Sequence, residues 1–254
     1  MDISQSTIAI TGAAGGLGSA MAQRLAGQGA QLALIDLDKS ALEPVRAACI
    51  DAGAGAALAY AANVTDEADT SGVFAAIAAD FGALHGVVNN AGITRDALTV
   101  KFRDGECVSA MTLDQWQSVL DANLTGVFLC GREASRHMIT LGCHGCVINI
   151  SSISRAGNMG QINYSATKAG VEAMAVVWAR EWARYGIRAA SIAPGFIGTD
   201  MVRSMKPEAL KKLSAMIPVQ RMGEPDEIAR AVAFIFENDY FNGRCLELDG
   251  GLRL

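Results

Sequence analysis

The sequence lacks the features that direct a protein to a membrane, to nucleic acid or to secretion. No apolar run approaches the roughly 20 residues that a helix needs to span a bilayer. Lysine and arginine total 21 against 26 aspartates and glutamates, a net charge of −5, and no basic cluster is present that could neutralise phosphates. The first residues, MDISQSTIAI, have neither the basic start and apolar core of a secretory signal nor the arginine-rich character of a transit peptide. We therefore expect a cytoplasmic protein that binds neither membranes nor nucleic acids.

The sequence also lacks a disulfide framework and a metal-binding cluster. Cys143 and Cys146 form a C-x-x-C pair around His144, but no second pair of ligands accompanies them, as a structural zinc site would require. We interpret this pair as part of the segment that leads into the strand from residue 147, and we predict no metal site. The six cysteines fall in predicted helices, loops and strands; they are Cys49, Cys107, Cys130, Cys143, Cys146 and Cys245.

No linker, repeat or low-complexity tract divides the 254 residues, and strand and helix patterns alternate throughout. Such alternation predicts one α/β domain, residues 1–254, of the Rossmann type: a doubly wound parallel sheet of about seven strands with helices on both faces. We expect residues 1–150 to form the cofactor half and residues 151–254 the catalytic and substrate half. The 51% share of hydrophobic residues predicts a large core and extensive contact between subunits. Predicted strands are 6–11, 31–36, 57–61, 84–89 and 187–193, with one more from 147; predicted helices are 16–28, 39–52, 66–81 and 112–141.

A candidate catalytic group lies where the strand pattern from residue 147 gives way to a helix near Tyr164. Tyr164 and Lys168 are four residues apart and therefore share one helix face. An ammonium one turn away is expected to favour the phenolate, so that Tyr164 could exchange a proton with an alcohol or a carbonyl. A hydroxyl from the preceding loop, which carries Ser151, Ser152 and Ser154, could hold the same oxygen. The predicted apolar face of this helix comprises Ala169, Val171, Met174 and Val177.

A glycine-rich turn, TGAAGGLG, stands between the first strand and the first helix. Gly12, Gly16 and Gly18 would let a pyrophosphate approach the backbone at the helix amino terminus. Asp36 ends the second strand, where a carboxylate can accept a hydrogen bond from a ribose 2′-hydroxyl and repel a 2′-phosphate. We therefore favour NAD(H), with NADP(H) as the alternative. A purely structural glycine turn, and an aspartate that only caps the next turn, are the other interpretations.

Together with NNAG at 89–92 and PGFIGTDM at 194–201, these motifs resemble the short-chain dehydrogenase/reductase family along essentially the whole chain. Within it, GQINYSATKAG and WARYGIR are most similar to 3-oxoacyl-acyl-carrier-protein reductases and 3-hydroxyacyl dehydrogenases. The resemblance implies hydride transfer between a nicotinamide and a ketone or secondary alcohol, with a 3-oxoacyl thioester on acyl carrier protein or CoA as the favoured substrate. Hydroxysteroid, sugar and other alcohol dehydrogenases are alternatives. A catalytically silent dinucleotide-binding protein is the competing hypothesis.

The resemblance also implies the site residues. Tyr164 would be the acid and base, Lys168 would lower its pKa and hold the nicotinamide ribose, and Asn123, in a locally disturbed part of the long helix, would maintain a proton relay. Either Ser151 or Ser152 would orient the substrate oxygen, and we favour Ser152 because it follows the strand end and because deletions fall more readily in loops. The implied cofactor contacts are Gly12, Gly16, Leu17, Gly18, Asp36, Asn63, Val64, Asn90, Ala91, Gly92, Tyr164, Lys168, Pro194, Gly195, Ile197 and Thr199.

Three segments carry further expectations. Residues 99–110 form an insertion relative to those reductases, and we predict a small hairpin that contains Arg103, Asp104 and Gly105, at the site rim or a subunit edge. Residues 200–219 resemble the family's mobile substrate lid. The tail LRL is expected to reach another subunit of a homotetramer.

Overall fold

The computed structural model describes residues 1–199, 202 and 207–253, apart from the side chain of Ala209. The strands are β1 Thr7–Thr11, β2 Gln31–Asp36, β3 Ala56–Ala61, β4 Gly86–Asn89, β5 Val100–Arg103, β6 Glu106–Ala110, β7 Gly145–Ile150, β8 Ile187–Pro194 and β9 Cys245–Leu248. The helices are α1 Gly16–Ala26, α2 Lys39–Ala52, α3 Glu67–Phe81, α4 Leu113–Leu120, α5 Gly126–Thr140, α6 Ile162–Glu181, α7 Pro207–Met216 and α8 Pro225–Glu237.

Seven parallel strands form one sheet in the order β3-β2-β1-β4-β7-β8-β9. The central strands are buried along their whole length, which explains their continuous apolar runs. One core layer lies between the sheet and α1, α2 and α8, and the other lies between the sheet and α3, α5 and α6. This arrangement confirms the predicted doubly wound α/β fold. The strand order reverses between β1 and β4, where such sheets form a crevice at their carboxyl ends.

The predicted helix over 112–141 is interrupted. A π-helical turn, Asp121–Thr125, separates α4 from α5 and contains the buried Asn123. Single π turns widen the backbone locally and are frequent at functional sites. The local disturbance expected at Asn123 is therefore present, although the uninterrupted helix was wrong.

The insertion forms the predicted hairpin of β5 and β6. Asp104 and Gly105 both have positive φ, 52° and 85°, as a two-residue type I′ turn requires. Every residue of the two strands is exposed, including Phe102, of which 63% is accessible. The hairpin therefore projects from the domain instead of packing on it.

The apolar face predicted for α6 was partly correct, because Val171 is buried and Met174 packs against the core, whereas Ala169 and Val177 are exposed. Val177 is 49% exposed, whereas the core-facing residues are Val171, Ala175 and Trp178, and Trp178 stacks on Trp182 with ring centroids 4.8 Å apart. The buried row continues through Lys168, because the catalytic end of the helix is buried as well.

The predicted lid, 200–219, lies partly outside the described residues, as does Leu254 of the tail. Within the lid the structure describes Val202 and residues 207–219, which include α7, and Ile217 of this segment packs with Ile153 and Leu252. None of the described helices is long and apolar enough to cross a membrane. The substrate-lid assignment and the reach of the tail stay predictions.

Candidate active site

A cavity of about 540 Å³ opens at the carboxyl edge of the sheet, where β1, β4, β7 and β8 end. Parallel strands bring their carboxyl ends to one edge, so residues distant in sequence meet there. Many of the predicted site residues line it: Leu17, Asn90, Gly92, Ser152, Tyr164, Lys168, Pro194, Gly195, Ile197 and Thr199. The remaining predicted residues do not line the cavity itself: Gly12, Gly16, Gly18, Asp36, Asn63, Val64, Ala91 and Asn123.

A larger surface hollow, of about 640 Å³, lies between α3 and α5, away from this edge. Its basic residues, Arg132 and Arg136, are already paired with Glu67 and Glu133. We therefore place the candidate active site in the smaller cavity, where the reactive side chains are.

The glycine turn and the NNAG segment form one hydrogen-bonded unit. The Asn90 Nδ2 donates to the carbonyls of Thr11 and Gly12, each at 3.0 Å. The Thr11 hydroxyl oxygen accepts from the backbone N–H groups of Asn90 and Ala91, at 3.0 and 3.1 Å. Gly12 has φ of +64°, and a Cβ there would lie 2.9 Å from the Ala91 Cα. Two motifs that are nearly 80 residues apart in sequence therefore fix each other, and Thr11 is a linking residue that the sequence analysis missed.

The start of α1 has the features of a pyrophosphate site. Its N-cap, Gly15, makes no side-chain capping bond, which leaves the first backbone N–H groups to a ligand. A Cβ on Gly18 would lie 2.2 Å from the Gly12 carbonyl oxygen, so the turn and the helix approach too closely for any side chain. A Cβ on Gly16 would lie 3.3 Å from the Thr199 side chain. These residues fit a dinucleotide, with Thr199 placed over the same turn.

The Pro194–Gly195 bend sits against the neighbouring strand. The Gly195 N–H donates to the Leu248 carbonyl at 2.8 Å, and a Cβ on Gly195 would lie 2.6 Å from the Asp249 Cα. The segment that follows carries the buried Ile197 and then Thr199 toward the glycine turn. The bend thus lines the cavity from the end of β8.

Asp36 is tied to the glycine turn. One carboxylate oxygen accepts from the Ala14 N–H at 3.0 Å and the other from the Leu37 N–H at 2.8 Å. The next helix, α2, is capped by Asp38, which accepts from the Ser40 N–H at 2.8 Å. Each carboxylate oxygen retains a further acceptor site, so Asp36 is available to a ribose hydroxyl.

Asn63 and Val64 follow the carboxyl end of β3. The Asn63 Oδ1 accepts from the backbone N–H and the hydroxyl of Thr65, at 3.1 and 2.8 Å. Val64 packs on α5, since a Cβ on Gly126 would lie 3.0 Å from its Cγ2. The Asn63 oxygen is therefore occupied in the turn before α3, and adenine contact by this pair stays a prediction.

The catalytic candidates converge around Tyr164. The buried Lys168 Nζ donates to the Ile150 carbonyl at 2.7 Å and lies 5.4 Å from the centroid of the Tyr164 ring. Ser152 hydrogen-bonds to the phenol, whereas the Ser151 hydroxyl is buried and donates to the Lys168 carbonyl at 2.8 Å. The two serines thus point in different directions, and only Ser152 faces Tyr164. Ser151 anchors the helix to the sheet.

The electrostatics of the pair differ from the sequence-based expectation. Burial raises the pKa of Tyr164 above its ordinary value, the hydrogen bond with Ser152 opposes this, and the charge of Asp96 adds to it. Burial also lowers the pKa of Lys168 to about 8. Burial has the largest influence on the phenol, so its pKa is raised, and not lowered as we expected from the neighbouring lysine.

Asn123 connects the π turn to the segment after β4. Its Oδ1 accepts from the Ile93 N–H at 2.8 Å, and its Nδ2 donates to the Ile93 carbonyl at 2.9 Å. A Cβ on Gly92 would lie 3.0 Å from the Asn123 Oδ1 and 3.7 Å from the Lys168 Nζ. Asn123 is therefore a near neighbour of Lys168, as a relay would require, and the relay itself stays a prediction.

Several buried or bridging amides were missed. The Asn149 Nδ2 donates to the Val171 carbonyl at 2.9 Å and thereby holds α6 to β7. At the rim, Gln161 accepts from Ser154 at 3.0 Å and donates to Asp96 at 2.8 Å. Their position inside or beside the NISS and GQINY strings was the only signal, because the sequence does not reveal their distant partners.

Comparisons with known proteins agree with this geometry. A family model described as Enoyl-(Acyl carrier protein) reductase matches residues 12–253. The human (3R)-3-hydroxyacyl-CoA dehydrogenase is 37% identical over 96% of this chain and 94% of its own. The acetoacetyl-CoA reductase of Synechocystis is 38% identical, with 98% and 97% covered, and the 3-oxoacyl-[acyl-carrier-protein] reductase of Vibrio cholerae is 35% identical, with 99% of each covered.

A solved structure supports the same assignment. The chain superposes on a short-chain type dehydrogenase/reductase from Mycobacterium marinum with a TM-score of 0.88 and 30% sequence identity, covering 98% of this chain and 96% of that one. The agreement extends over the whole sheet and its helices. The protein therefore belongs to the short-chain dehydrogenase/reductase family of NAD(P)-dependent oxidoreductases.

Proposed function

We propose that the protein interconverts 3-oxoacyl and 3-hydroxyacyl thioesters with NAD(H). The observation that carries this proposal is the convergence of Tyr164, Lys168 and Ser152 on one cavity beside a glycine turn suited to a pyrophosphate. The acyl thioester class is supported by the names of relatives that match the chain almost end to end, on CoA in some and on acyl carrier protein in others.

In the reductive direction the nicotinamide, when bound, supplies a hydride to the substrate carbonyl carbon. Tyr164 donates its phenolic proton to the carbonyl oxygen as negative charge develops there. Ser152, which already hydrogen-bonds to that phenol, holds the same oxygen. In the oxidative direction Tyr164 accepts the proton from the alcohol.

Lys168 supports this transfer from its fixed position. Its Nζ is held by the Ile150 carbonyl at the end of β7, on the same helix face as Tyr164. A cation there stabilises the phenolate that each reductive turnover creates. We propose that Asn123, placed beside Lys168 by Gly92, supports the return of a proton to Tyr164.

The preference for NAD(H) follows from the residues after β2. The Asp36 carboxylate would accept from a ribose 2′-hydroxyl and would repel a 2′-phosphate. Leu37, the next residue, is apolar and 71% exposed, so it offers no cation to a phosphate. Lys39 is the nearest basic residue in sequence, and it begins α2.

A homotetramer is the assembly that we propose. Exposed apolar side chains on neighbouring helices support contact between copies of the chain: Phe128 on α5 and Val176 and Val177 on α6. Burying such residues would remove apolar surface from water.

The decisive experiment is steady-state reduction of acetoacetyl-CoA, run side by side with NADH and NADPH. We expect turnover with a higher kcat/KM for NADH, and Tyr164→Phe should lower kcat on the order of 10³-fold while leaving NADH affinity nearly unchanged. A preference for NADPH would contradict the role of Asp36 alone. Binding of NADH without turnover of this thioester would refute the substrate class, and retained turnover in Tyr164→Phe would refute the mechanism.

A further inference from the structure

Asn163 is a buried amide at the start of the catalytic helix, and the proposed mechanism does not use it. It is the second residue of α6 and is fully inaccessible to solvent. Asparagine at the beginning of a helix is ordinarily exposed or serves as the cap. Here the N-cap is Gln161, which makes no side-chain capping bond.

Three hydrogen bonds hold the Asn163 side chain. Its Oδ1 accepts from the Tyr164 N–H at 2.8 Å, which satisfies a backbone donor that has no partner within the helix. Its Nδ2 donates to the Arg95 carbonyl at 3.1 Å and to the Gln115 carbonyl at 2.9 Å. Both amide protons and the oxygen are therefore used inside the protein.

These bonds join three elements of the site. Arg95 belongs to the segment after β4 that lines the cavity, and Gln115 is in the first turn of α4. The exposed hairpin of β5 and β6 lies between them in sequence. The Asn163 side chain thus connects the residues on either side of the hairpin segment to the first turn of α6, at Tyr164.

We propose that Asn163 is a positioning residue, which fixes the first turn of α6 so that the Tyr164 hydroxyl reaches the substrate oxygen held by Ser152. This inference rests on the proposed role of Tyr164. Misplacement of a reacting group by about 1 Å can cost on the order of 100-fold in rate, so a rigid anchor next to Tyr164 has a direct effect on turnover.

The same anchor controls the surroundings of the phenol. Tyr164 faces Lys168 from its own helix, Ser152 from the turn after β7 and Asp96 from the rim segment. Loss of the clamp would admit water to this group and reduce the desolvation that raises its pKa. The pH dependence of turnover therefore reports on the clamp independently of overall stability.

The test compares Asn163→Leu with a matched control, Asn242→Leu. Asn242 also bridges two backbone groups, because it accepts from the Ala189 N–H at 3.0 Å and donates to the Ala179 carbonyl at 3.4 Å, at the amino end of β8. Both changes leave backbone groups unpaired and should lower the melting temperature. Only Asn163→Leu should lower kcat, by about ten-fold or more, and move the alkaline limb of the reductive kcat profile to lower pH.

Each outcome decides the proposal. Wild-type kcat and pH profile in Asn163→Leu, or an equal loss of kcat in Asn242→Leu, would overturn it. If Asn163→Leu does not fold, Asn163→Asp replaces it, because aspartate keeps the acceptor for the Tyr164 N–H and loses the donors. A wild-type kcat in Asn163→Asp would likewise overturn the proposal.

If the wild type does not reduce acetoacetyl-CoA, only the substrate class has failed. The ionisation of Tyr164 is then followed by tyrosinate absorbance against Tyr164→Phe, where an unchanged titration in the variant would refute the clamp.

Discussion

The two sides of the cavity achieve their geometry by different means. On the cofactor side the chain comes close to itself because side chains are missing, as at Gly18 against the Gly12 carbonyl. On the catalytic side, buried polar side chains such as Asn163 and Lys168 bond to backbone carbonyls. A change on the first side should therefore act by steric collision, and a change on the second by leaving polar groups unpaired or by removing a charge.

The largest loss of folding stability is expected from Gly18→Ala. The new Cβ would lie 2.2 Å from the Gly12 oxygen and 2.8 Å from the Ala13 Cα, so the turn must move away from α1. We expect the free energy of unfolding to fall by about 1–3 kcal/mol, as for overpacking. Affinity for NADH, measured by calorimetry, should fall as well, because the displaced backbone N–H groups no longer meet the pyrophosphate.

Gly72→Ala is the matched control for this collision. Gly72 also lies within a helix, α3, but a Cβ there would meet nothing within 4 Å. The substitution should raise the free energy of unfolding by about 0.5–1 kcal/mol, because alanine loses less backbone freedom on folding. Equal losses in both variants would mean that helix propensity, and not close approach, governs Gly18.

On the catalytic side, Lys168→Met should abolish turnover and yet stabilise the fold at neutral pH. Among the described residues no carboxylate pairs with the Lys168 Nζ, and burial lowers its pKa to about 8 from an ordinary 10.5. Below pH 8 the ammonium is charged in both states, so the folded state bears the whole penalty of burying it. We expect a gain of about 1–3 kcal/mol in the free energy of unfolding at pH 7.

The pH dependence of that gain gives the sharper test. Between pH 8 and 10.5 the unfolded chain binds the proton that the folded chain has released, so the wild type gains stability as pH rises. The advantage of Lys168→Met should therefore shrink across this window, as measured by urea unfolding at a series of pH values. Lys211→Met, at an exposed lysine of α7, should show no such trend. A gain that does not vary with pH would contradict the buried charge.

The cofactor side was also the easier one to predict. Gly12 and Asp36 are found from local spacing, because a turn between a strand and a helix is a local structure, and Asn90 was implied by the resemblance to the family. Asn163 bonds to residues 48 and 68 positions away, and no local pattern identifies such partners. The pKa of Tyr164 was misjudged for the same reason, since burial depends on the tertiary fold. Asn123 was implied by the resemblance to the family, and its poor helix propensity agrees with the disturbed helix there.

The smallest effect is expected from shortening the insertion, by replacing Val100–Ala110 with two glycines. The Met111 N–H already donates to the Leu98 and Thr99 carbonyls, so the ends of the excursion meet without the hairpin. Because both strands are exposed on both faces, we expect the free energy of unfolding to change by less than about 1 kcal/mol.

The kcat of the shortened protein shows whether the hairpin itself, or the residues on either side of it, position the active site. The clamp of Asn163 on Arg95 and Gln115 lies outside the replaced segment, so kcat should stay near the wild-type value, in contrast to Asn163→Leu. Sedimentation velocity on the same sample would reveal any loss of subunit contact. A fall in kcat as large as that of Asn163→Leu, with the mass unchanged, would mean that the hairpin itself holds the site, and that the catalytic side depends on an exposed element as well as on its buried amides.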